Sequence, residues 1–70
     1  MVPSTTRPAV ILRLARVISR TGLSRSTIYQ RIEEGKFPAQ INLGAHSVGW
    51  IEAEIDEWIS SRIAKSREAA

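Results

Sequence analysis

The chain has 70 residues, of which 43% are hydrophobic and 24% charged, and its formal net charge is +3. A chain of this length forms one small domain and buries only about 60% of the surface that the unfolded chain exposes, so an enclosed catalytic pocket is not expected. The absence of cysteine excludes a disulfide framework, a thiolate zinc site and a thiol nucleophile, and it fits the cytoplasmic location that we predict.

The first residues, Met1–Pro8, include two prolines and three hydroxyl side chains, a composition typical of a flexible arm. The apolar segment Ala9–Leu12 predicts either a short strand or an extended lead-in that packs on the core. It is also the longest apolar run of the sequence, too short for a membrane span or for the core of a signal peptide. We therefore predict an ordered domain over residues 9–66, followed by a frayed end at residues 67–70.

The first predicted helix begins at Leu14. Leu14, Val17 and Ile18 have the spacing of one apolar helix face, with basic and polar residues between them. Its predicted end is Thr21-Gly22, because glycine adopts without steric cost the left-handed conformation that ends a helix.

The second predicted helix begins at Ser24, a preferred N-cap, and Leu23 and Ile28 occupy the two positions of a hydrophobic staple. Ile28 and Ile32 form its apolar stripe, and Gly35 ends it. The opposite face carries Ser26, Gln30 and Glu33, while Arg25 and Tyr29 lie on one flank and Thr27 and Arg31 on the other. This polar face is therefore free to meet a partner.

After Phe37-Pro38 the apolar period changes to two, which predicts a hairpin of two short strands with one packed face. In the first run the polar residues Gln40 and Asn42 alternate with the apolar residues Ile41 and Leu43. In the second run the apolar residues Val48 and Trp50 alternate with Ser47 and Gly49. Gly44-Ala45-His46 lies between the two runs and forms the predicted tip.

The last predicted helix spans Glu52–Lys65. Its apolar positions are Ile55, Trp58, Ile59 and Ile63. Acidic residues lie in its first turns and basic residues near its end, which is the order that the helix macrodipole favours. Trp50 and Trp58 are expected in the core, where they would hold the hairpin and this helix to the first two helices.

Two short helices joined by Thr21-Gly22-Leu23 have the layout of a helix-turn-helix, and the hairpin that follows is placed as a wing. The predicted fold class is α+β, mainly α: a small winged helix-turn-helix with two short helices, a β-hairpin wing and a C-terminal helix. In this layout the polar N-terminal end of the second helix faces phosphates and base edges in the major groove of DNA.

The distribution of charge supports a polyanionic partner for the first half of the chain. Residues 1–36 carry a net charge of +5, whereas residues 37–70 carry −2. Together with the helix-turn-helix layout, this asymmetry favours double-stranded DNA as the partner. The alternative is a small adaptor or antitoxin-like module whose basic half docks an acidic protein.

Several motifs occur together in one collinear order over residues 11–65. They are Ile11-Leu12-Arg13-Leu14, Val17 to Tyr29, Gly35-Lys36-Phe37-Pro38, Leu43-Gly44 with Val48-Gly49-Trp50, and Glu54 to Ile59. With this set the sequence resembles the AlpA family of prophage-type transcriptional regulators. The resemblance implies a winged helix-turn-helix similar to phage excisionases and to the DNA-binding domain of MerR regulators.

By this resemblance, residues 24–34 would be the recognition helix and residues 44–47 the tip of the wing. The implied function is regulation of transcription through sequence-specific binding of double-stranded DNA, and a second implied role is that of an excision factor. The sequence departs from the family at Ala15-Arg16, where Pro-Glu is frequent, and at His46, where the wing often carries arginine. An imidazole is charged mainly on the acid side of neutrality. His46 therefore either contacts a phosphate at acid pH or is an exposed turn residue without a role in binding.

The candidate DNA-binding residues follow from this placement. Basic side chains are expected to neutralise phosphates, while Ser26 and Gln30 are candidates for reading base edges, since glutamine pairs with adenine through two hydrogen bonds. Tyr29 either bonds a phosphate or sugar or fills the edge of the core. The predicted set is Arg16, Arg20, Ser24, Arg25, Ser26, Thr27, Tyr29, Gln30, Arg31, Lys36, His46 and Ser47, with Arg13 as an alternative to Arg16.

No catalytic or metal-binding constellation can be assembled from the sequence. His46 is the single histidine and has no partner at metal-ligand spacing, while Glu33 and Glu34 point in different directions on a helix. We therefore predict no enzyme activity, no cofactor, no metal, no membrane association and no small-molecule ligand. Because one module of this size buries only about 600–1,000 Å² on DNA, we also expect a homodimer or cooperative binding to repeated sites, with Ile63 as a candidate contact.

Overall fold

The computed structural model describes residues 9–69. The elements are β1 Ile11–Leu12, α1 Leu14–Thr21, α2 Arg25–Glu33, β2 Ile41–Gly44, β3 Ser47–Ile51 and α3 Glu52–Ala69. Their order confirms the predicted fold, a small α+β winged helix-turn-helix. The predicted flexible arm Met1–Pro8 lies outside the described residues, as does Ala70.

The turn between α1 and α2 forms as the sequence predicts. Gly22 has φ 75° and donates its backbone N–H to the carbonyl oxygen of Ile18 at 2.8 Å, which ends α1. The side-chain oxygen of Ser24 accepts the backbone N–H of Thr27 at 3.2 Å, which caps α2. These local bonds fix the angle at which the chain enters α2.

The end of α2 is a Schellman motif built on Gly35, which has φ 74°. The backbone N–H of Gly35 donates to Ile32 at 3.0 Å, and that of Lys36 donates to Arg31 at 2.8 Å. The predicted end of α2 at this glycine is confirmed. The chain then turns back toward the sheet through Phe37, which is buried.

The three strands form an antiparallel sheet in the order β1-β3-β2. Of the two alternatives for residues 9–12, the short strand is correct, because Ile11 pairs with Ile51 and Leu12 with Trp50. The hairpin between β2 and β3 closes through a two-residue turn at Ala45 and His46. The wing is therefore joined to the first strand, and β3 lies at the centre of the sheet.

One face of the hairpin packs on the core as predicted, but β3 alone supplies the apolar side chains of that face, through Val48 and Trp50. Asn42 pairs with Val48, and Ile41 pairs with Gly49, so the apolar side chains of β2 lie on the opposite face from Val48 and Trp50. Leu43 is 43% exposed. Alternation within each strand defines its two faces, but the register that relates one strand to the next depends on the turn and on the irregularity between Asn42 and Gly44.

The core lies between the inner face of the sheet and the three helices. Its buried members are Leu12, Val17, Ile28, Phe37, Trp50 and Ile55. Trp50 is fully buried and donates its indole N–H to the carbonyl oxygen of Pro38 at 3.1 Å. Trp58 packs against this cluster and donates its indole N–H to the carbonyl oxygen of Lys36 at 2.9 Å. The predicted core role of both tryptophans is confirmed, and both anchor the segment that follows α2.

The last helix is longer than predicted. It continues to Ala69 rather than ending at Lys65, so residues 67–69 are helical. The apolar periodicity ends at Ile63, but the alanine, lysine, arginine and glutamate residues that follow have high helix propensity and extend the helix without packing. Residues 60–68 are all exposed. Among residues 9–69, no helix combines the length and apolarity that a membrane span requires.

Candidate nucleic-acid interface

The outward face of α2 carries exposed polar side chains directly opposite a buried one. Ser26, Gln30 and Glu33 are exposed, whereas Ile28 is 0% exposed. The amide nitrogen of Gln30 donates to the carboxylate of Glu34 at 3.3 Å. This face agrees with the predicted helical wheel, but one donor of Gln30 is held by a neighbouring carboxylate.

The N-terminal end of α2 is organised by Ser24 and Thr27. The Ser24 hydroxyl donates to the Thr27 hydroxyl oxygen at 2.9 Å and accepts the Thr27 backbone N–H. Because the first N–H groups of a helix have no partner within the helix, this end presents donors and a partial positive charge to an anion. The first two residues of the helix, Arg25 and Ser26, are exposed.

Tyr29 lies at the edge of the core. Its ring meets the ring of Trp50 edge to face, with centroids 6.3 Å apart, and the guanidinium carbon of Arg25 lies 5.9 Å from the Tyr29 centroid. Of the two roles predicted for Tyr29, packing at the edge of the core is the one seen in the structure. Contact with a phosphate or sugar stays a prediction. The ring also orients Arg25 beside the N-terminal end of α2.

Arg20 is paired within the chain. Its guanidinium donates to Glu52 at 3.2 Å and also bonds Asp56. The charge that the sequence assigns to phosphate contact is therefore compensated by two carboxylates of α3. Arg13, by contrast, donates its Nε to the carbonyl oxygen of Val48 at 3.0 Å, which ties the start of α1 to the wing, while Arg16 is exposed.

Arg31 and Lys36 face α3 rather than the outward face of α2. With Arg62 and Lys65 of α3 they line an open groove, here called the basic groove, whose wall includes Phe37 and Trp58. The Nε atom of Arg31 is buried without a hydrogen-bond partner among the described residues. The sequence analysis missed this groove because it compared the net charges of the two halves of the chain, and the four cations come from both halves. The i, i+3 spacing of Arg62 and Lys65 does indicate a basic stripe on one helix face.

The tip of the wing carries His46 in the left-handed conformation, with φ 60°. His46 is exposed, and the adjacent Ser47 is half-buried. The side-chain oxygen of Asn42 accepts the backbone N–H of Gly44 at 3.0 Å, which supports the strand end before the turn. The tip therefore presents an imidazole and backbone groups, and no arginine or lysine lies within residues 40–50.

Gln40 is a candidate residue that the sequence interpretation missed. It lines one groove with Ser26 and Gln30, and a second groove with His46 and Ser47. It is exposed, so it connects the outward face of α2 with the wing. Its signal in the sequence was its polar position in the alternating run before β2.

Comparison with known proteins gives consistent matches over most of the chain. The family model described as prophage CP4-57 regulatory protein (AlpA) matches residues 10–63. The chain is 52% identical over 58 residues to the DNA-binding transcriptional activator AlpA of Escherichia coli K12, a match that covers 74% of this chain and 83% of that protein. It is 47% identical over 53 residues to the uncharacterized protein ORF88 of Enterobacteria phage P4, which covers 76% of this chain and 60% of the phage protein. The chain thus spans less than two thirds of the phage protein's length.

Proposed function

The chain belongs to the AlpA family of prophage regulatory proteins, and from this premise we propose that it regulates transcription by binding specific sequences of double-stranded DNA. The observation that carries the proposal is the outward face of α2, where Ser26 and Gln30 are exposed beside a capped helix N-terminus. A DNA-binding activator among its relatives supports the same function.

In the proposed complex α2 lies in the major groove. Gln30 reads a base edge, and Ser26 lies one turn closer to the N-terminal end of the helix. Ser24 and Thr27 present the helix N-terminus to a phosphate, while Arg25 contacts the backbone. One N–H of Gln30 is bonded to Glu34, so the free protein holds this side chain in a contact that competes with base reading.

The wing provides a second set of contacts in this proposal. His46 and Ser47 approach the phosphate backbone, and Gln40 lies between them and α2. Arg16 on α1 adds a backbone contact on the other side of the helix-turn-helix. Arg20 is left out of this set because Glu52 and Asp56 already compensate its charge.

A second candidate function, docking of an acidic protein, is favoured by the basic groove. Its four cations are Arg31, Lys36, Arg62 and Lys65. The aromatic wall offers apolar contact that a DNA backbone does not use. Two carboxylates, Glu54 and Glu57, also line the groove, and they repel DNA phosphates more than an acidic protein segment that also carries some basic side chains.

The two candidates are separated by selecting duplexes from random DNA with the purified protein and titrating the selected duplex at several salt concentrations. With about four phosphate contacts, the slope of log affinity against log salt is expected near −3.6. Failure to enrich any duplex, or an affinity that does not change with salt, contradicts DNA binding. Binding of an acidic protein that Arg62→Gln with Lys65→Gln removes would then support the adaptor function.

We also propose that the protein acts as an excision factor for the integrated element. This role is supported by the resemblance to excisionases. The measurement is recombination between the two attachment sites of an integrated element by its integrase, with and without this protein. An unchanged yield of excised circle at saturating protein would restrict the function to transcription.

A further inference from the structure

The sheet has a second apolar surface that does not belong to the core. The outer face is defined here by Ile11 of β1, Ile41 and Leu43 of β2, and Gly49 and Ile51 of β3. Paired residues of antiparallel strands point to the same side of a sheet, and Ile11 pairs with Ile51 while Ile41 pairs with Gly49. The register therefore places these residues on one side of the sheet.

Contacts above Gly49 make this surface continuous. A Cβ built on Gly49 would lie 2.6 Å from the Cγ2 of Ile11 and 3.1 Å from the Cδ1 of Leu43. The side chains of the two edge strands thus converge over the central strand, where glycine leaves room for them. Ile11 is 37% exposed and Leu43 is 43% exposed.

Packing against the core does not explain these side chains. The core cluster and the residues that pack against it include Leu12, Val48 and Trp50 from the inner face, but no member of the outer face. Antiparallel sheets that meet water usually carry polar residues on that side. On the outer face Ile11 and Leu43 are exposed, Ile41 and Ile51 are half-buried, and Gly49 is buried beneath them. An apolar surface of this kind is typical of a contact with another molecule.

The chemistry of the outer face favours a partner surface that is also apolar and uncharged. All five residues lack charge, and of the five only Ile41 also lines the basic groove. DNA phosphates and acidic peptides would therefore find no complementary group over Ile11, Leu43 and Ile51. The same face on a second copy of this chain meets the requirement, and two identical apolar faces pair about a two-fold axis.

We propose that the outer face is the contact between two copies of this chain that occupy neighbouring sites on DNA, an inference that rests on the proposed function. Five residues form a surface much smaller than the about 800 Å² that each partner of a stable complex buries. The contact is therefore weak between free molecules. On DNA, two neighbouring copies reach an effective concentration in the millimolar range, at which a weak contact is populated.

The test compares duplexes that carry one or two copies of the selected site. The two copies are placed as inverted or direct repeats, with centres about 10 or 21 bp apart. The wild-type protein is expected to bind one inverted-repeat duplex at least 10-fold more tightly per site than the single-site duplex. Ile11→Thr with Leu43→Thr is expected to lose this gain and to keep its single-site affinity within twofold. Ile63→Gln, which alters an equally exposed apolar residue of α3 (47% exposed), is the control and should keep the gain.

A crosslinking measurement tests the same contact by proximity rather than by affinity. Because the chain has no cysteine, Leu43→Cys provides a single attachment point, and a short bismaleimide is expected to join two copies on the inverted-repeat duplex. Ile63→Cys should not be joined in this way.

The outcomes separate the surface from the function. Single-site binding without any gain on repeats, or a gain that the threonine variant retains, overturns the proposal. A gain confined to direct repeats overturns the two-fold arrangement. Loss of single-site affinity by the folded threonine variant means that the outer face contacts DNA itself. If no duplex is bound, the proposed function fails, and crosslinking of Leu43→Cys at millimolar protein decides whether copies still pair.

Discussion

Arg20 of α1 donates to Glu52 of α3 at 3.2 Å, so one of the basic side chains of the helix-turn-helix is neutralised inside the molecule. Asp56 completes the arrangement. Both partners are partly exposed to solvent, and an ion pair of this kind stabilises the fold by about 0.2–1 kcal/mol. Its larger expected effect is on charge, because an arginine already paired with two carboxylates would release few counterions on binding DNA.

We therefore expect Arg20→Gln to leave the affinity for the selected duplex within about twofold and the salt slope unchanged. Arg25→Gln, at the exposed N-terminal end of α2, should weaken binding to all sequences alike and reduce the slope by about 0.9. The measurement is a set of titrations at constant temperature over several salt concentrations. Equal losses of slope in the two variants would show that Arg20 leaves its carboxylates to bind DNA.

Gln30→Ala is expected to relax base preference at one or two positions of the site, by about 1–3 kcal/mol, while non-specific affinity stays the same. Glu34→Ala should instead strengthen binding, because it removes both a competing acceptor of Gln30 and a negative charge beside the DNA. Selection from random duplexes with each variant measures the preference. An unchanged motif with Gln30→Ala would exclude this residue as a base reader.

Gly49→Ala is expected to destabilise the protein by about 1–3 kcal/mol, because the added methyl group overlaps Ile11 and also lies 3.1 Å from the backbone oxygen of Leu12. Chemical denaturation measures the loss. In the background of Ile11→Ala, the same substitution should cost less, because the closest contact is gone, and the difference is the coupling between the two residues. Equal costs in both backgrounds would assign the loss to the contacts with the backbone oxygen of Leu12 and with Leu43.

His46→Gly is expected to raise the free energy of unfolding by about 0.5–1 kcal/mol, since a non-glycine residue at φ 60° carries left-handed strain that exceeds the entropic cost of glycine. His46→Ala retains the strain and removes the imidazole, so it separates the two effects. If the wing uses the imidazole on DNA, both variants lose affinity by the same factor. An affinity equal to wild type in both would restrict His46 to the turn.

Local sequence signals predicted the helices and the turn between them, because Gly22, Ser24 and Gly35 act within four residues of their own positions. Long-range partners were not predictable in the same way. The pairing of β1 with β3 and the register of Ile41 with Gly49 depend on residues far apart in the chain. The charge of Arg20 was visible, but its partners lie 32 and 36 residues away. Sequence spacing therefore identified the polar face of each helix. The fold determines which polar side chains on these faces are already paired within the chain, as Arg20 is.

The exposed half of α3 has a consequence for local stability. Residues 60–68 are all exposed, so the amide protons there are protected from exchange with solvent mainly by helical hydrogen bonds. A helical segment of about ten residues without packing is marginal in water. Amide exchange is therefore expected to slow progressively from the end of the helix toward Ile55, which is fully buried, and a protease should trim this end while leaving the folded body intact.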